Sequence, residues 1–191
     1  SKSEMLLFDL LAHNEWNRPV YYAVTVSRST YLNLQNYFQL DGMTYRIVPI
    51  RTKSDPGRYG HINTDILYEN MMNKFDMGGC ADPDVYLDEN NVRMLMNLKN
   101  NYGMLARELL AEGDKTRAMK VMDHVTETMP NERVPYNFYN LMMSENLFKL
   151  GEDQRAEEML KTLAKNKAQE LQYFYSLPPG KTKRMQREMQ R

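Results

Sequence analysis

Two stretches of this chain, LAEGDKTRAMKVM from Leu110 and FKLGEDQRAEEML from Phe148, share the pattern G-[DE]-x-x-R-A-x-x-x-[ML]. Gly113 corresponds to Gly151 and Ala118 to Ala156, so the unit recurs after 38 residues, close to the roughly 34-residue period of tetratricopeptide helical hairpins. A repeat of this kind restricts the fold strongly, because one helical hairpin cannot bury its own apolar face and must stack on a neighbour. The residue types suit a helix-turn-helix. Tyr102 and Leu105 supply large apolar positions of the first helix, Ala106 the small residue where the paired helix crosses, Gly113 the turn and Ala118 the small crossing residue of the second helix. Pro130 ends the unit. In the second copy Ser144 takes the small position, Ala168 stands where the proline would be, and the connection NERVPYN is longer.

Two hairpins leave two open ends. Lys167 to Ser176, with Ala168, Leu171 and Tyr175 along one face, is expected to cap the C-terminal side before Pro178 and Pro179 stop it. The opposite end is expected to be covered by the N-terminal part of the chain. There, Ser3 to His13 reads as a short amphipathic helix with Ser3 as candidate N-cap and Met5, Leu6, Phe8 and Leu10 to Ala12 as its buried part. Val20 to Val26 and Tyr45 to Ile50 are β-branched and aromatic runs without clean polar alternation, the pattern of strands covered on both faces. The segment between them, with a short helix around Leu32 to Phe38, is long enough for a crossover, which predicts parallel strands. Thr52 to Gly60 is a turn-rich loop. Asn63 or Thr64 caps a helix to about Phe75, stopped by Gly78 and Gly79, and Asp88 caps a long helix to about Glu112.

The fold class is therefore α+β and mostly α. A small N-terminal α/β unit with its capping helix occupies residues 1–87, tetratricopeptide-like hairpins and their cap 88–177, and a basic flexible tail 178–191. The 191 residues, 42% hydrophobic and 26% charged, suffice for one sizeable core. The 25 basic and 25 acidic side chains cancel, so the molecule lacks the positive field that drives non-specific nucleic-acid binding. The longest apolar run, Val20 to Val24, is far shorter than a bilayer span. A lone cysteine, Cys80, closes no intramolecular disulfide. The opening SKSEMLLFDLL has neither an initiator methionine nor the pattern of a signal peptide, as expected of a piece of a longer protein whose targeting information lies upstream.

Reaction chemistry finds little support. His13, His61 and His124 are isolated, without HxH, HExxH or CxxC spacing, and no metal site or cofactor is expected. Cys80 sits in a Gly-Gly-Cys-Ala turn with no identified basic partner that would make it a nucleophile. Asp82 and Asp84 have D-x-D spacing, but Leu87 and Arg93 stand where a calcium loop needs glycine and glutamate, so capping and turn formation account for these acids. Phosphate-loop, dinucleotide and serine-hydrolase motifs are missing. Most of the 16 methionines fall at core spacing, as do Met94, Leu98 and Tyr102, or Met119 and Met122 beside Val125.

In a tetratricopeptide pair the first helices line the groove that meets a ligand. Counting from Tyr102 places Asn100 and Arg107 there, with Phe138, Leu141 and Glu145 from the second copy. A partner's extended segment can hydrogen-bond Asn100 and pair with Arg107. The competing expectation is that this face is covered by the α/β unit or the C-terminal helix. A second candidate site, for carbohydrate binding or hydrolysis, is the 58–65 loop with Arg58, His61 and Asp65. The tail from Lys181 to Arg191 carries net charge +4 and could touch anionic lipid or an acidic partner.

The segments NRPVYYAVTVSRSTYLNL, DGMTYRIVPI, NTDILYENMMNKF, VYLDENNVRMLMNLKNNY and MPNERVPYNFY, within residues 13–140, together resemble the C-terminal soluble region of a bacterial family of polytopic membrane proteins. That family is related to protein O-mannosyltransferases and other membrane-embedded glycosyltransferases. The resemblance implies a membrane-tethered protein whose upstream part holds the spans and the catalytic acid, with this region on the periplasmic side. It carries no catalytic residue onto this chain. The function expected is a non-catalytic accessory domain whose partners are the upstream membrane domain of the same polypeptide and an acceptor protein or peptide. A structural spacer is the remaining reading.

Overall fold

The computed structural model describes residues 2–52 and 59–178. The side chain of Ser3, the middle of the turn-rich loop with Arg58, Pro179 and the basic tail lie outside the described residues. The class is as expected, α+β and mostly helical, with α1 (Lys2–His13), β1 (Tyr21–Ala23), β2 (Phe38–Leu40), β3 (Thr44–Ile47), α2 (Thr64–Tyr68), α3 (Glu89–Ala111), α4 (Lys115–Thr128), α5 (Tyr139–Leu150) and α6 (Asp153–Ser176).

The parallel pairing is corrected. The sheet has strand order β1-β3-β2 and both pairings are antiparallel, with Tyr22 opposite Tyr45 and Gln39 opposite Arg46. The segment expected to be a crossover helix is a 3₁₀ turn over Leu34–Tyr37 that runs directly into β2. Strands β2 and β3 form a hairpin around Asp41 and Gly42, where Gly42 has φ 119° and Asp41 N–H donates to the Thr44 carbonyl at 2.9 Å. An Asp-Gly pair between alternating residues is a hairpin signal, and it outweighs the loop-length argument for a crossover. Strand β1 is also not covered on both faces: Tyr21 and Ala23 are exposed and Tyr22 packs inward, because β1 is an edge strand. His61 extends the sheet by bridging to Gln39 in the parallel sense, its N–H donating to the Phe38 carbonyl at 2.6 Å.

Helix α1 forms where expected but buries a different face. Leu7 and Leu11 pack on the core, whereas Met5, Leu6, Phe8 and Leu10 are exposed, Met5 at 74%. The helix lies at the margin of the body, so one narrow stripe reaches apolar neighbours.

Asn63 caps α2 by accepting the Ile66 N–H at 3.0 Å, and the helix widens into a π-helical stretch over Glu69–Lys74. Asp88 caps α3 by accepting the Asn91 N–H at 2.7 Å, a local bond that sets where the helix begins. Helices α3 and α4 turn at Gly113, α5 and α6 at Gly151, both glycines with positive φ. Ala106, Ala118, Ser144 and Ala156 are all buried, so helices approach closely at these small residues, around Tyr102, Leu105, Met122, Val125 and Leu147. The cap expected from Lys167 to Ser176 is instead the end of the single helix α6, which runs past α5. Ala168, Leu171 and Tyr175 are therefore exposed. Met94, expected in the core, is exposed at the first turns of α3, before the helix meets the sheet.

Hydrogen bonds tie α3 to the β2–β3 hairpin, to the π-helical stretch and to α2. Asn101 donates to the Gly42 carbonyl at 2.7 Å, the Tyr102 hydroxyl to the Met71 carbonyl at 2.7 Å, and Thr64 Oγ1 to Glu112 at 2.8 Å. The two parts of the chain thus share one hydrophobic core.

Candidate functional site

The exposed sides of α3 and α5 and the near edge of the sheet unit enclose a cleft of about 510 Å³. Its helical wall carries Asn97, Asn100, Asn101 and Arg107 from α3, and Phe138, Tyr139, Leu141, Met142 and Glu145 from the start and body of α5. The opposite wall is built by Val24, Val26, Arg28, Tyr31, Tyr45 and Tyr59. All five groove residues expected from the repeat, Asn100, Arg107, Phe138, Leu141 and Glu145, line this one cleft. The α/β unit does not cover that face; it forms the second wall.

The tyrosine wall is an aromatic cluster. Tyr31 packs edge-on against Phe38, Tyr45 and Tyr59, with ring centroids 5.0, 6.3 and 5.6 Å apart. Phe38 stacks on Tyr45 at 5.2 Å. Burial raises the Tyr31 hydroxyl above its ordinary range and pushes that of Tyr45 up to about 12, so both remain neutral hydroxyls over the physiological range. The Arg28 guanidinium lies over the Tyr59 ring, 5.1 Å from its centroid.

Charges on the helical wall are unequal in availability. Lys149 Nζ stands 2.6 Å from Glu145 Oε1, and its hydrogen bond holds the carboxyl below the usual carboxylate range, with Arg107 adding a smaller effect. Arg107 Nε is 3.7 Å from Glu108 Oε1, an ion pair too long for a hydrogen bond. Asn101 is engaged with the β2–β3 hairpin, while the Asn97 and Asn100 side chains make no hydrogen bond among the described residues.

The second candidate site is not assembled as a unit. Arg58 lies outside the described residues, His61 serves the sheet through its backbone, and Asp65 pairs with Arg117 Nη1 at 2.6 Å. Arg117 also bonds Asp114 at 2.7 Å. These bonds raise the Arg117 pKa, that to Asp65 first, and the Arg117 backbone N–H holds Asp114 low. Cys80 offers its carbonyl to Arg133 Nε at 3.2 Å, and burial raises its thiol. Among the described residues, no group of three histidine, cysteine or acidic side chains is placed to hold a metal ion.

Asn97 was legible as a groove residue, since it stands three positions before Asn100 on the same helical face. Arg28 and the tyrosines had no such signal, because only the tertiary fold brings the sheet unit against α3 and α5.

The family described as TMEM260-associated domain 2 matches residues 1–66, which covers α1, the sheet and the connection into α2. No curated protein and no solved structure matches the chain. No helix among the described residues is long and apolar enough to cross a membrane.

Proposed function

We propose that this chain is a non-catalytic accessory domain of a membrane-embedded glycosyltransferase-like protein, and that its cleft holds an extended polypeptide segment such as an acceptor. The observation that carries the reading is the convergence of Asn100, Arg107, Phe138, Leu141 and Glu145 with the sheet wall on one open cleft. Elsewhere several groups capable of acid or base work are engaged in structure: Asp65 and Asp114 with Arg117, and His124 with the Tyr102 hydroxyl at 3.2 Å. The match of residues 1–66 to a domain named for its association with TMEM260 supports the accessory role. On this reading α3 to α6 are tetratricopeptide-like hairpins, the upstream membrane domain of the same polypeptide is a second partner, and the chain faces the periplasm.

Site-specific photo-crosslinking in the full-length protein tests it. A benzophenone side chain at Phe138 or Leu141 should capture a polypeptide, whereas one at Lys161 on α6 should not. Capture at Lys161 but at neither cleft position defeats the proposal. So does turnover of a sugar substrate by the isolated chain.

A further inference from the structure

We infer that the segment held in the cleft is acidic: an extended peptide that brings an aspartate or glutamate carboxylate between Arg28 and Arg107. The inference rests on the docking reading and adds the chemistry of the occupant.

Charge complementarity argues for it. Among the described residues two guanidinium groups line the cleft against one carboxylate, that of Glu145, and Lys149 already neutralises it at 2.6 Å. Arg28 has no carboxylate within ion-pair distance among the described residues; its guanidinium lies over the Tyr59 ring. A cation–π contact leaves guanidinium N–H donors unpaired, and their fork matches the two oxygens of a carboxylate. Arg107 meets Glu108 only through the long Nε contact of 3.7 Å among the described residues, and no hydrogen bond there engages its terminal nitrogens. The two cations come from the two walls of one cleft, so an acidic segment lying in it passes both.

The amides argue for a peptide. Asn97 and Asn100 stand one turn apart with side chains that make no hydrogen bond among the described residues, and each carboxamide presents the same donor and acceptor as a peptide unit. Phe138, 76% exposed, and the exposed Leu141 offer apolar contact for the side chains of an extended strand. A neutral oligosaccharide fits less well. Sugar rings stack on open aromatic faces; on the sheet wall Tyr31 and Tyr45 are 4% and 9% exposed and the face of Tyr59 carries Arg28, so stacking would fall to Phe138 on the helical wall, and a neutral sugar would leave both guanidinium groups without a counter-charge.

The probe is a phage-displayed library of random octapeptides panned on the 191-residue chain, followed by fluorescence anisotropy with the selected peptides in labelled form. The selected peptides should be enriched in Asp and Glu. Arg28→Gln and Arg107→Gln should each weaken binding about tenfold or more, the size of a lost charge-assisted hydrogen bond. Added salt should weaken it further, Arg28→Lys should restore part of it, and Lys161→Gln on α6, away from the cleft, should not weaken it. Melting curves confirm that each variant is folded. Selected peptides that lose binding in Asn100→Ala and Phe138→Ala, yet are neutral or basic and indifferent to both arginine variants, would overturn the acidic inference and leave the docking reading standing. Peptides unaffected by Asn100→Ala and Phe138→Ala, or no selected peptide at all, would overturn both. Binding of mannohexaose or maltohexaose in place of any peptide would replace them with a sugar site.

Discussion

Lys99 of α3 donates Nζ to the Val134 carbonyl at 2.8 Å from a position 1% exposed. The same ammonium lies 4.9 Å from the centroid of the Tyr136 ring. Through this one side chain the first helix of one hairpin holds the connection that leads into the next. A buried lysine facing a carbonyl and a ring has lost most of its hydration, and this desolvation brings its pKa down to about 7, with Glu132 opposing the change.

That depression makes stability pH-dependent with a definite sign. Between about pH 7 and the ordinary lysine value near 10.4, the unfolded chain binds a proton that the folded chain has given up. Stability should therefore rise with pH through that window, by up to about 1.4 kcal/mol per pH unit. In Lys99→Met this contribution is absent. Urea unfolding of both proteins at pH 6.5, 8 and 9 should show the difference moving in favour of the native chain as pH rises. Parallel profiles would mean that Lys99 stays charged in the fold.

The Tyr102 hydroxyl bridges α3 to the π-helical stretch, donating to the Met71 carbonyl at 2.7 Å beside His124 Nε2 at 3.2 Å. Tyr102→Phe keeps the ring and removes the bond, stranding a carbonyl in the interior. The expected loss is about 1–3 kcal/mol in denaturant unfolding. Burial also lowers the His124 pKa, so the folded state keeps this ring neutral while the unfolded state protonates it near pH 6.5. The contribution of His124 to stability should fall as pH drops through 6.5, and His124→Gln should flatten that part of the profile.

The parts of the fold legible in the chain are those set by neighbours in sequence. Asp88 and Glu112 bracket α3 as expected because a cap and a 3.6-residue periodicity are local signals, and Gly113 and Gly151 mark the hairpin turns for the same reason. Asn100, Arg107, Phe138, Leu141 and Glu145 could be placed on one face from helical register alone. The sheet was misread where two local signals competed: loop length favoured a crossover, while Asp41-Gly42 between Phe38 and Ile47 favoured a hairpin, and the turn chemistry prevailed. The wall contributed by Arg28, Tyr31 and Tyr45 depends on how the sheet docks against α3. Hydrophobic periodicity does not encode that docking.

Helix α1 separates composition from burial. Its exposed leucines and its core leucines are indistinguishable as residue types, yet Leu11 packs on the core and Leu6 does not. Leu11→Ala should destabilise the chain by about 1–2 kcal/mol, whereas Leu6→Ala should stay within about 0.5 kcal/mol. Thermal melts of the two variants side by side decide it, and equal losses would show that α1 presents another face.

Gly42 tests the hairpin that replaced the expected crossover. Its φ of 119° is open to glycine and strained for any side chain, and a Cβ there would come within 2.5 Å of Phe75 Cζ. The ring of Phe75 packs against the core and cannot swing freely. Both effects act in the same direction in Gly42→Ala, so the variant should lose more stability than the roughly 1 kcal/mol that alanine adds at a compatible site. Asn101 hydrogen-bonds the Gly42 carbonyl, so the strain is carried into α3 as well. Amide exchange should then accelerate at Thr44 and Asp41 across the hairpin and at the α3 residues beside Asn101. Faster exchange in the hairpin alone, with α3 unchanged, would show that the Asn101 bond does not couple the sheet to the helices.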